Sequence, residues 1–150
     1  MHAPGIRPAP RQLTMLNPLG LYDPRANGYS HVAMIPPGAA LVCVAGQGGE
    51  RADGSLPAGF AAQVRQALDN LCVALAAAGS QPRQVARLTV LVVDHSEARL
   101  AVLSGELRRI WGDAPAPACT LIPVPRLALD GMLFEIEALA VADAPAARPA

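Results

Sequence analysis

Lysine is missing altogether: all twelve basic side chains are arginine, set against twelve acidic ones in 150 residues. Without lysine there is no Schiff-base amine and no lysine general base. A net charge of zero provides none of the field that gathers phosphate backbones. No window interleaves arginine with aromatic residues, so nucleic acid is not an expected partner. Aromatic residues make up only 3% of the chain, which leaves Ala, Val, Leu and Ile to build a core. Long apolar runs are also lacking. The run ending at Ala78 falls far short of the roughly 20 residues a membrane-spanning helix needs. The first residues are broken by Pro4, Gly5, Pro8 and Pro10 and hold no apolar stretch, so they do not read as a secretion signal. A cytoplasmic protein is expected. Cys43, Cys72 and Cys119 are odd in number and form no C-x-x-C pair, and His2, His31 and His95 are scattered. Neither a disulfide framework nor a metal site is indicated.

What remains is apolar and periodic. Hydrophobic residues are 52% of the chain, enough for one domain with a substantial core. Residues 1–13 read as a loose arm and residues 143–150 as a frayed tail, with the folded domain over 14–142. His31 to Ile35 and Leu41 to Ala45 are short β-prone runs separated by Pro36-Pro37-Gly38, the pattern of a hairpin. Gly46-Gln47-Gly48-Gly49 then breaks the strand. From Phe60 to Ala78, Phe60, Val64, Ala67, Leu68, Leu71 and Leu75 recur at helical steps. They give one apolar face, with Gln63, Gln66, Asp69 and Asn70 on the other side and Gly79 as the stop.

Val85 to Val93 reads as a strand with two largely apolar faces, hence a central one. Asp94 and Glu97 have capping-box spacing, with Asp in place of Ser or Thr. Leu100, Leu103, Leu107 and Ile110 then repeat at helical intervals until Gly112 and Pro115. Thr120 to Val124 is a strand whose Pro123 suggests an edge or a bulge, and Leu133 to Val141 is the last strand. The order predicts an α+β domain, one sheet with two helices packed on one face. The other face needs a cover, and self-association supplies it most simply.

Several residues in this frame are candidates for chemistry. Glu135 and Glu137 lie in an otherwise apolar strand, on one face and roughly 6.5–7 Å apart. Facing carboxylates suit acid–base work; they equally suit a solvated face or pairing with arginine. Cys119 is either a thiol at a cleft rim or a small buried hydrophobe, and no His or Arg adjoins it to activate it. Tyr22 and Tyr29 share a loop rich in Gly, Pro and Asn that either lines a pocket or is anchored by tyrosine packing. His95 reads most simply as a loop or helix-start residue. Gly46 to Gly49 lacks the G-x-x-x-x-G-K-[ST] pattern of a phosphate loop.

A set of segments occurs in a telling order: Asn17-Pro-x-Gly-x-Tyr22, Ala45-Gly46-Gln47, Gln63-x3-Ala67-Leu-Asp-Asn-Leu71, Arg87-Leu-Thr-Val-x-Val-Val93, Pro117-Ala-x-Thr-Leu121 and Glu135-Ile-Glu-Ala138. Over about residues 14 to 142 the chain resembles the Rid family, also called YjgF, the reactive-intermediate deaminases. The resemblance implies a chorismate-mutase-like α+β fold. It also implies a homotrimer whose sheets pack about a three-fold axis, with small-molecule clefts between subunits. It further implies hydrolysis of imines and enamines to a keto acid and ammonia, with no metal or cofactor. In such proteins an arginine grips the substrate carboxylate through its two-pronged guanidinium, while a tyrosine and a glutamate position substrate and water. Carried onto this chain, the glutamate falls on Glu135 and the tyrosine on Tyr29.

The arginine does not carry over. Where the family reads Pro-Ala-Arg-Ser/Thr, this chain reads Pro117-Ala118-Cys119-Thr120. Arg126 lies seven residues further on, roughly 23 Å along an extended strand and on the opposite face. Arg25 and Arg51, both in loops, remain as replacements that would reach a cleft from a neighbouring subunit. Two readings follow. One is an imine or enamine hydrolase acting on a substrate without the usual carboxylate, with Glu135 activating water and groups near Cys119 and Thr120 holding the ligand. The other is the same trimer binding or sensing a small metabolite without turnover.

Overall fold

The computed structural model describes residues 12–143; the expected arm, apart from Gln12 and Leu13, and the expected tail after Asp143 lie outside them. Six strands and two α-helices follow in the order β1 (Thr14–Leu16), β2 (Val32–Met34), β3 (Ala40–Gly48), α1 (Phe60–Ala77), β4 (Val85–Val93), α2 (Glu97–Trp111), β5 (Ala118–Val124) and β6 (Phe134–Ala142). The main sheet runs β3-β6-β4-β5, and β1 and β2 form a separate two-stranded ladder. β4 is internal, as its two apolar faces predict. It pairs antiparallel with β6 and parallel with β5, the connection to β5 being made by α2.

The expected hairpin is not formed. β2 pairs with β1, and β3 pairs with β6. The Pro36-Pro37-Gly38 turn is present, with Ala39 N–H donating to Pro36 O at 3.4 Å. Two consecutive prolines, however, remove the donors that a ladder beginning at the turn would use. Nor do the glycines end β3. The strand continues to Gly48 through a register shift between Val44 and Gln47, a bulge absorbing the extra residue.

α1 ends as the Gly79 signal predicts. Gly79 is left-handed at φ 70°, Ser80 N–H donates to Leu75 O at 2.9 Å, and Gly79 N–H donates to Ala76 O at 3.0 Å. These two bonds are the Schellman pattern that satisfies the last carbonyls. At the start of α2 the cap is Ser96, whose hydroxyl accepts from Arg99 N–H at 3.2 Å. Asp94, the expected cap, instead takes a left-handed φ of 50° and lies 3.8 Å from the Arg99 guanidinium.

Both helices close over one face of the sheet. Leu68, Leu71 and Leu75 of α1 and Leu103, Leu107 and Trp111 of α2 meet Leu88, Val90, Val92, Phe134 and Ile136 from the strands. Truncating one of these leucines to alanine removes about 2–5 kcal/mol. Gln63, expected on the solvent side of α1, is only 3% exposed. Its amide Nε2 donates to Gly131 O at 2.9 Å and its Oε1 accepts from Leu133 N–H at 2.8 Å. A buried amide is tolerable when it is bonded, and this one fixes the turn that leads into β6. No helix among the described residues is long and apolar enough to cross a membrane.

Candidate functional site

Alternation along β5 decides which residues share a site. Cys119 stands in register with Leu88 and Thr120 with Thr89. Leu88 is fully buried beneath the helices, so Cys119 faces the helical layer and Thr120 faces away. The partly buried Cys119 and Leu121 pack against the core. Burial pushes the Cys119 thiol up to about 12. It is therefore a neutral, unactivated thiol near pH 7.

Tyr29 is brought beside it by stitching of the backbone. Ser30 N–H donates to Pro117 O at 2.9 Å, and its hydroxyl donates to Ala116 O at 2.6 Å. Gly28 makes this approach feasible. It has φ 78°, and a Cβ there would lie 3.2 Å from Cβ of Leu107, so a side chain would strain the turn and crowd α2. The Tyr29 hydroxyl is hydrogen-bonded to that of Tyr22. Burial, this bond and the nearby Cys119 push Tyr29 up to about 12. The rings of Tyr22, Tyr29 and His31 stand edge to face with centroids 5.3–6.5 Å apart. His31 is held in turn by donating Nε2–H to Tyr22 O at 2.8 Å.

Together these groups form a cleft of about 240 Å³ between α2 and β5. Its wall is Leu100, Leu103, Leu107 and Leu121, and its polar groups are Tyr22, Asn27, Tyr29, His95 and Cys119. No arginine lines it. Arg25 lines the adjoining depression, and its guanidinium is 2.6 Å from the Asp23 carboxylate. That bond holds Asp23 down to about 2. Arg126 is paired with Asp130 at 3.1 Å.

Glu135 is elsewhere. It stands opposite Leu91 and Gly48, on the sheet face away from the helices. It also borders a groove along the β3 edge of the sheet, lined by Glu50, Arg51 and, from α1, Gln66 and Asn70. Arg51 donates to Ser55 Oγ at 3.2 Å. Thr120 shares the open face, in a row with Thr89 and Glu137. Within one chain, then, Tyr29 and Cys119 meet, while Glu135 and Thr120 do not join them. The leucine wall and His95 were not singled out as site residues from the sequence. The only signal was Leu100, Leu103 and Leu107 recurring just after a histidine. Among the described residues no three of His, Cys, Asp and Glu gather in a metal-binding group.

A mixed four-stranded sheet, two helices on one face, and a cleft where the second helix meets the edge strand define a class of small α+β protein. The chain belongs to the family described as endoribonuclease L-PSP, whose profile it matches over residues 23–142; the Rid and YjgF proteins are of this family. It is 36% identical over 88 residues to the 2-iminobutanoate/2-iminopropanoate deaminase of Escherichia coli K12, spanning 59% of this chain and 68% of that one. Among solved structures it is similar to YyfB of Yersinia pestis, a Rid-family protein described as of unknown function. That match has a TM-score of 0.82 and 36% identity, covering 87% of this chain and 98% of the other. It is also similar to RidA from an Antarctic Psychrobacter, at a TM-score of 0.63 and 27% identity, over 75% of this chain and 87% of that one.

Proposed function

We propose that this protein hydrolyses an imine or enamine that lacks the usual carboxylate, in clefts completed between the subunits of a homotrimer. The observation that supports the reading is the Tyr29–Cys119 cleft, which brings two of the expected site residues together and has no cation to hold a carboxylate. Losing a charge-assisted contact of that kind weakens binding by about 1.5–3 kcal/mol. Glu135 and Thr120 lie on the opposite sheet face, so the glutamate reaches such a cleft only from a second copy. The reaction balances with water alone. The oxygen of water adds to the imine carbon, the C–N bond breaks, and both water protons leave on nitrogen as ammonia. Glu135 takes the first proton and returns it, while Tyr29 orients the substrate.

The relative named as a deaminase supports this chemistry more than the endoribonuclease of the family description does. Twelve acidic residues balance the twelve arginines, so the chain has no net positive field to gather phosphates. The absent cation equally favours a second reading, a trimer that binds or senses a small metabolite without turnover. Ammonia release over a panel of carboxylate-bearing and uncharged imines decides. Turnover of uncharged imines, with 2-iminobutanoate hydrolysed weakly, is the expected result. Brisk hydrolysis of 2-iminobutanoate would reject the missing-anchor argument, and binding without ammonia would leave the sensing trimer.

A further inference from the structure

We infer that the depression beside the C-terminal end of α2 is a second small-molecule site, and that it takes a zwitterion with an apolar body: an α-amino acid with an apolar side chain. The depression measures about 500 Å³, within the roughly 300–1,000 Å³ of small-molecule sites. Tyr29 and Leu107 border both it and the Tyr29–Cys119 cleft. Gly28 lies against α2 there, a Cβ on it falling 3.2 Å from Cβ of Leu107. The loop thus leaves two hollows rather than one, and the second is independent of any reaction in the first.

Three side chains of the depression are already held in place. Arg108 Nη1 donates to Ala26 O at 2.8 Å. Asn17 Oδ1 accepts from His31 N–H at 2.9 Å, which orients the amide and keeps its NH2 group available to a ligand. Trp111 is buried, and its Nε1–H donates to Pro82 O at 3.0 Å, so the indole is a fixed wall. Groups held in advance lose little freedom when a ligand arrives.

The charges select the ligand. Arg25 lines the depression, but its guanidinium is taken by Asp23 at 2.6 Å. Arg108 and Asp113 line it as well, both exposed, and neither joins an ion pair among the described residues. They leave the depression one unpaired charge of each sign. A phosphate would meet Asp113 and a simple amine would meet Arg108, and like charges brought together oppose binding. A molecule with both charges suits both residues. Its carboxylate accepts from Arg108 and Asn17, and its ammonium donates to Asp113. Met15 and Trp111 offer apolar surface to its side chain.

L-Leucine, 4-methylpentanoate and 3-methylbutylamine test this, because they share one hydrocarbon and differ in charge. Trp111 is the chain's single tryptophan, so its fluorescence and its indole N–H resonance report on the depression directly. L-Leucine should move both signals and bind at least about tenfold tighter than either singly charged probe, the effect of one lost charge-assisted contact. Arg108→Gln should weaken L-leucine about tenfold and spare 3-methylbutylamine, and Asp113→Asn should weaken it similarly and spare 4-methylpentanoate. Both residues are exposed, so thermal melts should show each variant folded. Failure of L-leucine to bind, equal binding of the three probes, or indifference to both substitutions overturns the inference. Tighter binding of inorganic phosphate than of L-leucine overturns it too, and would make the depression an anion site.

Discussion

Gly46 of β3 lies against the carboxylate of Glu135 in β6: a Cβ at Gly46 would run into Oε1, Cδ and Cγ of that side chain. The bulge between Val44 and Gln47 and the missing side chain together leave the glutamate its place on the open face. Gly46→Ala should therefore act as a mutation of Glu135. The atoms in the way are the movable end of a side chain, so the strand can keep its course while the carboxylate swings aside, at about 0.5–1.5 kcal/mol if it leaves a rotamer well. Turnover of an uncharged imine should fall as far as in Glu135→Ala, with Tm lowered by only a few degrees. Full activity in Gly46→Ala would remove Glu135 from the mechanism.

Cys119→Arg places a guanidinium beside Tyr29, where burial already disfavours charge. Without ligand, the unpaired cation should destabilise the fold. A small 2-keto acid would supply the missing partner. In thermal melts the variant should start below the parent and be raised by 2-ketobutyrate, by about 2.7 kcal/mol at a hundred times Kd, whereas the parent should not respond. A variant equally deaf to 2-ketobutyrate would mean that the cleft is reshaped beyond one residue.

Glu106 joins the two helices. Its carboxylate accepts from Arg65 of α1 at 2.9 Å and from Arg109 at 2.6 Å, and Arg109 also reaches Asp69 of α1 at 2.9 Å. Burial pulls Glu106 upward, but the bonds from Arg65 and Arg109 outweigh it and hold the group below its usual 4.5. A lowered folded value means stability that is present above the unfolded pKa and lost as pH falls through the folded one. Glu106→Gln should cost about 1 kcal/mol at pH 7, the exposure of Arg65 limiting the gain from pairing. The gap should close in acid below the glutamate range. Urea melts at both pH values check this, and a gap that persists in acid would assign the loss to packing.

The open face of the sheet carries Leu41 at 61% and Ile122 at 43% exposure. Light scattering coupled to size exclusion should give about three times the 15.5 kDa chain mass. Leu41→Glu should shift the protein toward the monomer, because it brings several copies of one charge into a covered face. A monomeric parent would sink the inter-subunit cleft.

What could be read from the sequence was what local periodicity encodes. α1 and β4 were recoverable because their apolar spacing is long and regular, and Gly79 announced its own cap. Strand partners were not. Pro36-Pro37-Gly38 is a genuine turn, but a turn does not say which strands pair on either side, and β2 and β3 each found a distant partner. Gln63 was misplaced because polarity was taken for exposure, while its amide serves the backbone at Gly131 and Leu133. Tyr29 and Cys119 were candidates from residue type and loop context, and the resemblance gave them roles; their meeting depends on Ser30 bridging to the segment before β5, a long-range contact with no local signature. His95 was read as a loop or helix-start residue, and it lies there, just before the Ser96 cap of α2.

The two borders of the main sheet are poor templates for another strand. β3 is interrupted by its bulge. β5 carries Pro123, which has no N–H to offer, and at Ala118 it is already bridged by Ser30. An exposed strand edge invites open-ended stacking into fibres, and breaks of this kind discourage it. Association through the open face, where Leu41 and Ile122 are exposed, is left as the easier route, and copies related by rotation about a shared axis would end in a closed ring of fixed number. The bulge that leaves Glu135 its place thus also works against edge-to-edge growth of the sheet.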